Sequence, residues 1–264
     1  MSEVASYVYL VSRGLTDDDV PEVAGQQDRP VRLVPAAGLV AVVGTVDLAE
    51  FGEEALRRNL EDLAWLERTA RAHDRVVDAA ARRATVAPWR LATILLDDAR
   101  VAALVTQRRA DLERVLDRVH GCREWSVKAY APAGAPPDEP AGAPPDERAG
   151  PRPESGTAYL IRRKAETTRR TAAAAALAES AEDLHLALSA PTRASRRLPP
   201  QHRRLTGRSE EMLLNGAYLV PDGHAREFED LVARAAADHP ALLVEAAGPW
   251  PPYSFAVLPA EETS

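Results

Sequence analysis

The chain runs to 264 residues, 45% of them hydrophobic and 28% charged, with a formal net charge of -7. That length suits two ordinary domains, and the composition is that of a folded chain, which excludes wholesale disorder. The acidic balance argues against nonspecific nucleic-acid binding as the main activity, and the single cysteine, Cys122, excludes an internal disulfide and a thiolate-rich zinc site.

Cys122 reads as a small buried residue, and its isolation fits a reducing compartment. The opening MSEVASYVYLVSRG lacks a basic start, and Asp17, Asp18 and Asp19 follow it. The most apolar run, 33–46, is too short for a membrane span and is broken by Pro35, Gly38 and Gly44. A cytoplasmic chain with no membrane segment is the expectation. Only Lys128 and Lys164 are lysines among 33 basic residues, which reflects GC-rich coding and not arginine-specific recognition.

In chain order, YVYLV at 7–11, VRLV at 31–34 and LVAVVGTV at 39–46 are β-branched or aromatic runs bounded by turn residues, and they predict three strands. A helix is predicted over 53–83, with Leu66, Ala70, His73, Val77 and Ala80 on one face and Arg57, Arg58, Glu61, Asp62, Arg68, Arg71 and Arg75 on the others. A strand follows at 87–95. Asp97 is placed to cap a second helix carrying Val101, Leu104, Val105, Leu112, Val115 and Val119, which Gly121 ends. Alternation of Trp125, Val127 and Ala129 then predicts a closing strand at 123–130. The first domain, 1–131, is thus α+β, with an antiparallel or mixed sheet and its helices on one face.

AGAPPDEP at 133–140 is repeated at once as AGAPPDER at 141–148. Proline at that density, with Gly, Asp and Glu between, favours an extended solvated chain, so a linker is expected at 132–155. The second domain, 156–264, begins with a helix at 159–189 that Pro191 stops. Strands are predicted near 195–198, 212–220, 241–248 and 253–258, with a helix at 223–237. This order resembles a ferredoxin-like arrangement.

No phosphate loop, dinucleotide fingerprint, zincin motif or serine nucleophile turn is present, so the reading is of a non-enzyme with no catalytic residue, cofactor or metal site. His73, on an apolar helix face, reads as a core histidine because no second histidine lies one turn away. His120, His185, His202, His224 and His239 show no metal-ligand spacing. The pairs Glu53-Glu54, Asp97-Asp98 and Glu210-Glu211 fit helix starts and solvated faces. Arg193, Arg196, Arg197, Arg203, Arg204 and Arg208 form a basic run, read as a solvated face with docking to an acidic partner as the alternative.

GPWPPYSF at 248–255 holds three prolines and three aromatics. Pro249, Pro251 and Pro252 stiffen the path of Trp250 and Tyr253, so Trp250, Tyr253 and Phe255 are either a preorganised protein-contact wedge or the seal of the second core.

Taken together, YVYLVSRG at 7–14, RAHDRVV at 71–77, EWSVKAY at 124–130, LNGAYLVP at 214–221 and GPWPPYSF resemble, in order, the gas vesicle proteins of the GvpL/GvpF type. The resemblance spans nearly the whole chain, and its last motif is the most specific. It implies a noncatalytic accessory protein needed to build gas vesicles, two α+β domains of which the C-terminal is ferredoxin-like, and binding to the small hydrophobic shell protein and other accessory proteins. Its location would then be the gas vesicle or the cytoplasm. A soluble acidic partner with apolar contact surface suits a shell subunit prone to self-association. The alternatives are a small-molecule-binding regulatory module, since ferredoxin-like sheets often host ligands, and an RNA-binding sheet, which the charge and the missing basic-glycine-aromatic signature disfavour. Oligomeric state is not legible.

Overall fold

The structure, a computed structural model, describes residues 3–19, 23–132, 156–201 and 208–258. The repeat at 133–148, most of the expected linker, His202, Arg203 and Arg204 lie outside the described residues. The chain divides into two compact units, one of Met1–Trp125, Leu219–Gly223 and Gly248–Ser264, the other of Ser126–Tyr218 and His224–Ala247.

The first sheet contains β1 (Val4–Ser12), β2 (Val31–Ala36), β3 (Leu39–Asp47) and β4 (Val86–Leu95), ordered β2-β3-β1-β4 with every neighbour antiparallel. β2 and β3 pair up to Ala36 and Leu39, and the two loop residues, Ala37 and Gly38, both have positive φ, the condition for a type I′ hairpin. β1 is the strand that β3 and β4 flank, and all its residues after Val4 are buried.

Sheet residues alternate between two cores, and a bulge interrupts the alternation. Tyr7 and Tyr9 point into one cluster with Phe51, Trp65 and Val76, whereas Val8 and Val11 point into another with Val101, Val105 and Leu116. The register with β3 skips Tyr9, which puts Leu10 on the same face as Tyr9. α1 (Leu48–Phe51), α2 (Glu53–Asn59) and α3 (Leu63–Ala81) serve the first cluster, and α4 (Asp98–Gln107) and α5 (Arg109–Val119) serve the second. Helices therefore cover both faces of this sheet and not one, because β1 is apolar on both sides.

The single helix expected over 53–83 is interrupted before Leu63. The Asp62 carboxylate accepts from Ala64 N at 2.9 Å and Trp65 N at 3.3 Å, so it starts α3 as an N-cap in extended backbone. The buried side of α3 is centred on Trp65, Thr69, Ala72, Val76 and Ala80, with His73 and Val77 beside them; Leu66 and Ala70 only flank it. Asp97 caps α4 as expected, its carboxylate accepting from Arg100 N at 2.8 Å, and Arg108 breaks the expected continuous helix in two.

The second sheet is ordered β6-β7-β5-β8 and is antiparallel, from β5 (Cys122–Tyr130), β6 (Ala194–Arg197), β7 (Met212–Pro221) and β8 (Leu243–Trp250), with α6 (Gly156–Ser189) and α7 (Ala225–Asp238). β5 does not close the first sheet, as its position in the chain suggested. It is the first strand of a β-α-β-β-α-β path whose spatial order, second-third-first-fourth, is ferredoxin-like. The first sheet has the same spatial order, but the described residues between β1 and β2 form short 3-10 turns in place of a helix. The last expected strand, 253–258, is instead a 3-10 turn, Tyr253–Phe255. Phe255 N and Ala256 N both donate to Pro252 O, which removes them from any ladder.

The tyrosines of the two sheets are seated alike. The Tyr7 hydroxyl shares a hydrogen bond with His73 Nδ1 on α3 at 3.1 Å, and the Tyr218 hydroxyl shares one with His185 Nδ1 on α6 at 2.9 Å. In each sheet a tyrosine also lies over glycine: Tyr9 over Gly44, and Tyr218 over Gly216 two residues before it, where a Cβ would come within 2.6 Å of the hydroxyl. Glycine leaves the space that the aromatic ring fills.

Candidate functional site

β4 is an edge strand, and Pro88, opposite Leu10 of β1, sits in it, as proline in sheets is confined to edges and bulges. Its register against β1 jumps from Thr93 to Pro88 while β1 advances only from Val8 to Leu10. The residues between, Trp89, Arg90, Leu91 and Ala92, stand out from the ladder. Ala92 has φ +59, and its N–H donates to the Tyr7 hydroxyl at 3.0 Å. Thr93 Oγ1 donates to Arg90 O at 2.8 Å, which closes the protruding turn.

GPWPPYSF folds beside this bulge. Gly248 has φ +149, and a Cβ there would come 3.0 Å from Glu124 O and from the Trp125 ring, so only glycine passes without strain. The Gly248-Pro249 peptide is cis. Glu124, 7% exposed, accepts from Ser254 N at 2.7 Å and Ser254 Oγ at 2.6 Å. Tyr253 Oη donates to Asp74 Oδ1 at 3.0 Å, and the Arg118 guanidinium donates to Phe255 O. Burial first, then the Asp74 charge, raise the Tyr253 hydroxyl far above the usual phenol range, so it remains a donor.

These ties separate the three aromatics. Phe255 is 2% exposed and Tyr253 is half-buried against His73, its ring centroid 6.2 Å from the imidazole, so this corner packs on the core of the first unit and not, as the seal alternative expected, on the second. Trp250 is 46% exposed and is the one of the three with a largely open face.

The bulge, α3, the α4–α5 junction and the tail line an open cleft of about 670 Å³. Trp89, Leu104 and Val257 supply apolar walls; His73, Asp74 and Arg108 supply polar ones. His73 is 3% exposed, and burial depresses its pKa from 6.5 to about 4, the Trp89 backbone opposing the shift. It is therefore a neutral imidazole at neutral pH, seated among Tyr7, Tyr9 and Tyr253. Among the described residues no group of three or more His, Cys, Asp or Glu side chains is placed to hold a metal ion, and no helix is long and apolar enough to cross a membrane. Of the basic run, Arg197 pairs with Glu182 at 2.6 Å, and Arg208 pairs with Glu245 and lies over the Tyr130 ring.

The profile described as "Gas vesicle synthesis protein GvpL/GvpF" matches residues 5–257. The chain belongs to the GvpL/GvpF family. "Gas vesicle protein L" of Streptomyces sp. (strain CB03234) is 39% identical over 257 residues, covering 97% of this chain and 94% of that one. The crystal structure of GvpF from Anabaena sp. PCC7120 superposes with a TM-score of 0.67 at 16% identity, covering 99% of both chains. That of GvpF from Microcystis aeruginosa gives 0.65 at 17% identity, over 96% of this chain and 99% of that one. At such identities these two structures establish the fold.

All five resembling segments fall within the family match, and the structure gives each a physical role. YVYLVSRG is the buried strand whose tyrosines seat His73, LNGAYLVP is its counterpart with Tyr218, and EWSVKAY supplies both Glu124 and the first strand of the second sheet. Sequence reasoning missed Trp89 and the anchoring part of Glu124. Pro88 inside an apolar strand was the available signal for an irregular edge; the inward task of Glu124 left no signal, because glutamate is ordinarily exposed.

Proposed function

We propose that this member of the family is a noncatalytic accessory protein that takes part in gas vesicle assembly or nucleation by binding the small hydrophobic shell protein and other accessory proteins. The observation that carries the reading is the family match over 5–257. It acts at the vesicle or on its cytoplasmic assembly intermediates. Trp250 is the proposed contact residue, with Tyr253 and Phe255 holding its corner in place, because a stiff exposed indole loses little entropy on being covered.

The test is copurification of the tagged chain with coexpressed shell protein and accessory proteins. Wild type is expected to retain shell protein, and Trp250→Ala, with an unchanged melting temperature, to retain several-fold less. Equal retention by a folded Trp250→Ala removes the contact role of that residue. Normal vesicles after deletion of the gene, in a host without a paralogue, would remove the assembly role itself.

The cleft beside the β4 bulge favours a second reading, a small-molecule-binding regulatory module. A defined small molecule that raises the melting temperature, and loses that effect in Trp89→Ala, distinguishes it.

A further inference from the structure

α6 is 34 residues long, about 51 Å at 1.5 Å per residue. Its last turns bury Ala181, Leu184 and Leu188, and it packs on α7. The residues before them, 159–176, are all exposed.

The open side of the helix has a pattern. Two residues along an α-helix is about 200° around it, so Leu186 faces away from the buried Leu184. Steps of three and four back from Leu186 pass through Asp183, Glu179, Ala175, Ala172, Thr168 and Lys164 to Ile161. The two ends of this stripe are large apolar side chains, Ile161 at 66% and Leu186 at 58% exposure, and its middle is alanine. The Thr168 hydroxyl donates to Lys164 O at 2.9 Å, so its polar atom is satisfied within the helix.

We propose that this face binds the same face of a second copy of the chain, antiparallel. A two-fold axis between Ala173 and Ala174 sets Ile161 against Leu186 of the second copy, Lys164 against Asp183, and Ala172 against Ala175. Alanines at the midpoint permit the closest approach of two helix axes. Charge selects this direction. The first half of α6 carries Arg162, Arg163, Lys164, Arg169 and Arg170 against Glu166 alone, whereas residues 171–189 carry Glu179, Glu182 and Asp183 with no lysine or arginine. Glu182 is already paired with Arg197, so Lys164 with Asp183 is the ion pair that crosses the interface. A parallel pairing would instead put each charge against its own copy, which is repulsive.

The proposal is independent of shell-protein binding and is tested on the full chain by sedimentation equilibrium, with circular dichroism to confirm helix content. Wild type is expected to be a dimer. Lys164→Glu places two like-charge contacts in each dimer and should raise the dissociation constant about tenfold; adding Asp183→Lys should restore it. Ile161→Cys with Leu186→Cys should crosslink the two copies on oxidation. Ile161→Cys alone should not, because the antiparallel copies hold those positions about 38 Å apart. A monomer at all concentrations, a dimer indifferent to Lys164→Glu, or efficient crosslinking through Ile161→Cys alone overturns it.

Discussion

His73 illustrates how a residue suggestive of chemistry can serve packing. Its imidazole is surrounded by tyrosine rings and shares a hydrogen bond with Tyr7, and the hydroxyls of Tyr7 and Tyr9 are themselves held protonated by burial, that of Tyr9 with its pKa pushed up to about 12. Nothing nearby supplies a counter-charge sufficient to keep the ring protonated at neutral pH. Below about pH 6.5 the unfolded chain gains a proton at His73 that the folded chain refuses until about pH 4. The contribution is thus complete above pH 6.5 and is lost as pH falls toward 4, a change on the order of 3 kcal/mol. Urea denaturation from pH 7.5 to 4.5 should show wild type losing stability more steeply than His73→Phe; equal slopes would mean that His73 is not the titrating group. The sequence placed His73 on a buried face and read it as a core histidine. It could not name Tyr7 as its partner, because the two stand 66 positions apart.

Among the elements, the C-terminal corner is tied to β5 by the Glu124 carboxylate. Glu124 lies near the start of β5 and accepts from both donors of Ser254, so it fixes the 3-10 turn that places Tyr253 on α3. Glu124→Ala leaves two donors without their acceptor and is expected to cost about 2–3 kcal/mol in urea denaturation. Hydrogen exchange should accelerate at residues 253–256 in the same variant; unchanged exchange there would show that the prolines alone hold the corner. These local devices explain where the sequence was and was not readable. β1, β2, β3 and β4 were legible because β-branched runs ended at turn residues. The interruption before α3 was hidden by good helix formers on both sides of Asp62, although an aspartate ahead of an apolar run is itself a start signal. The alternation in YSFAVL suggested a strand, but the Pro252 carbonyl captures the N–H groups that a ladder would need. The β4 bulge left no periodic trace, since positive φ at an alanine, here Ala92, has no compositional mark.

At the scale of the whole molecule, the α+β class, both antiparallel sheets and the ferredoxin-like path were within reach of the sequence, and the family motifs gave the rest its frame. The membership of β5 was not. Alternation of Trp125, Val127 and Ala129 says that a strand is half-covered, and it says nothing about which neighbours it bonds. In the structure β5 lies between β7 and β8, and its chain leaves at Tyr130 to return at Gly156 as α6. The proline-rich repeat therefore interrupts a single β-α-β-β-α-β path and does not stand ahead of it. A protease that cuts within 133–155 should nick the protein without parting it: two bands in denaturing gels, one species in native gel filtration. A gene split at the same place should yield two halves that are soluble together and poorly soluble apart, because the later half, made alone, lacks its central strand and exposes two raw edges. An insertion at the repeat would therefore fall mid-fold, after the first strand of a sheet and before the helix that follows it, so that a spliced-in tag would divide one folding path and not two domains.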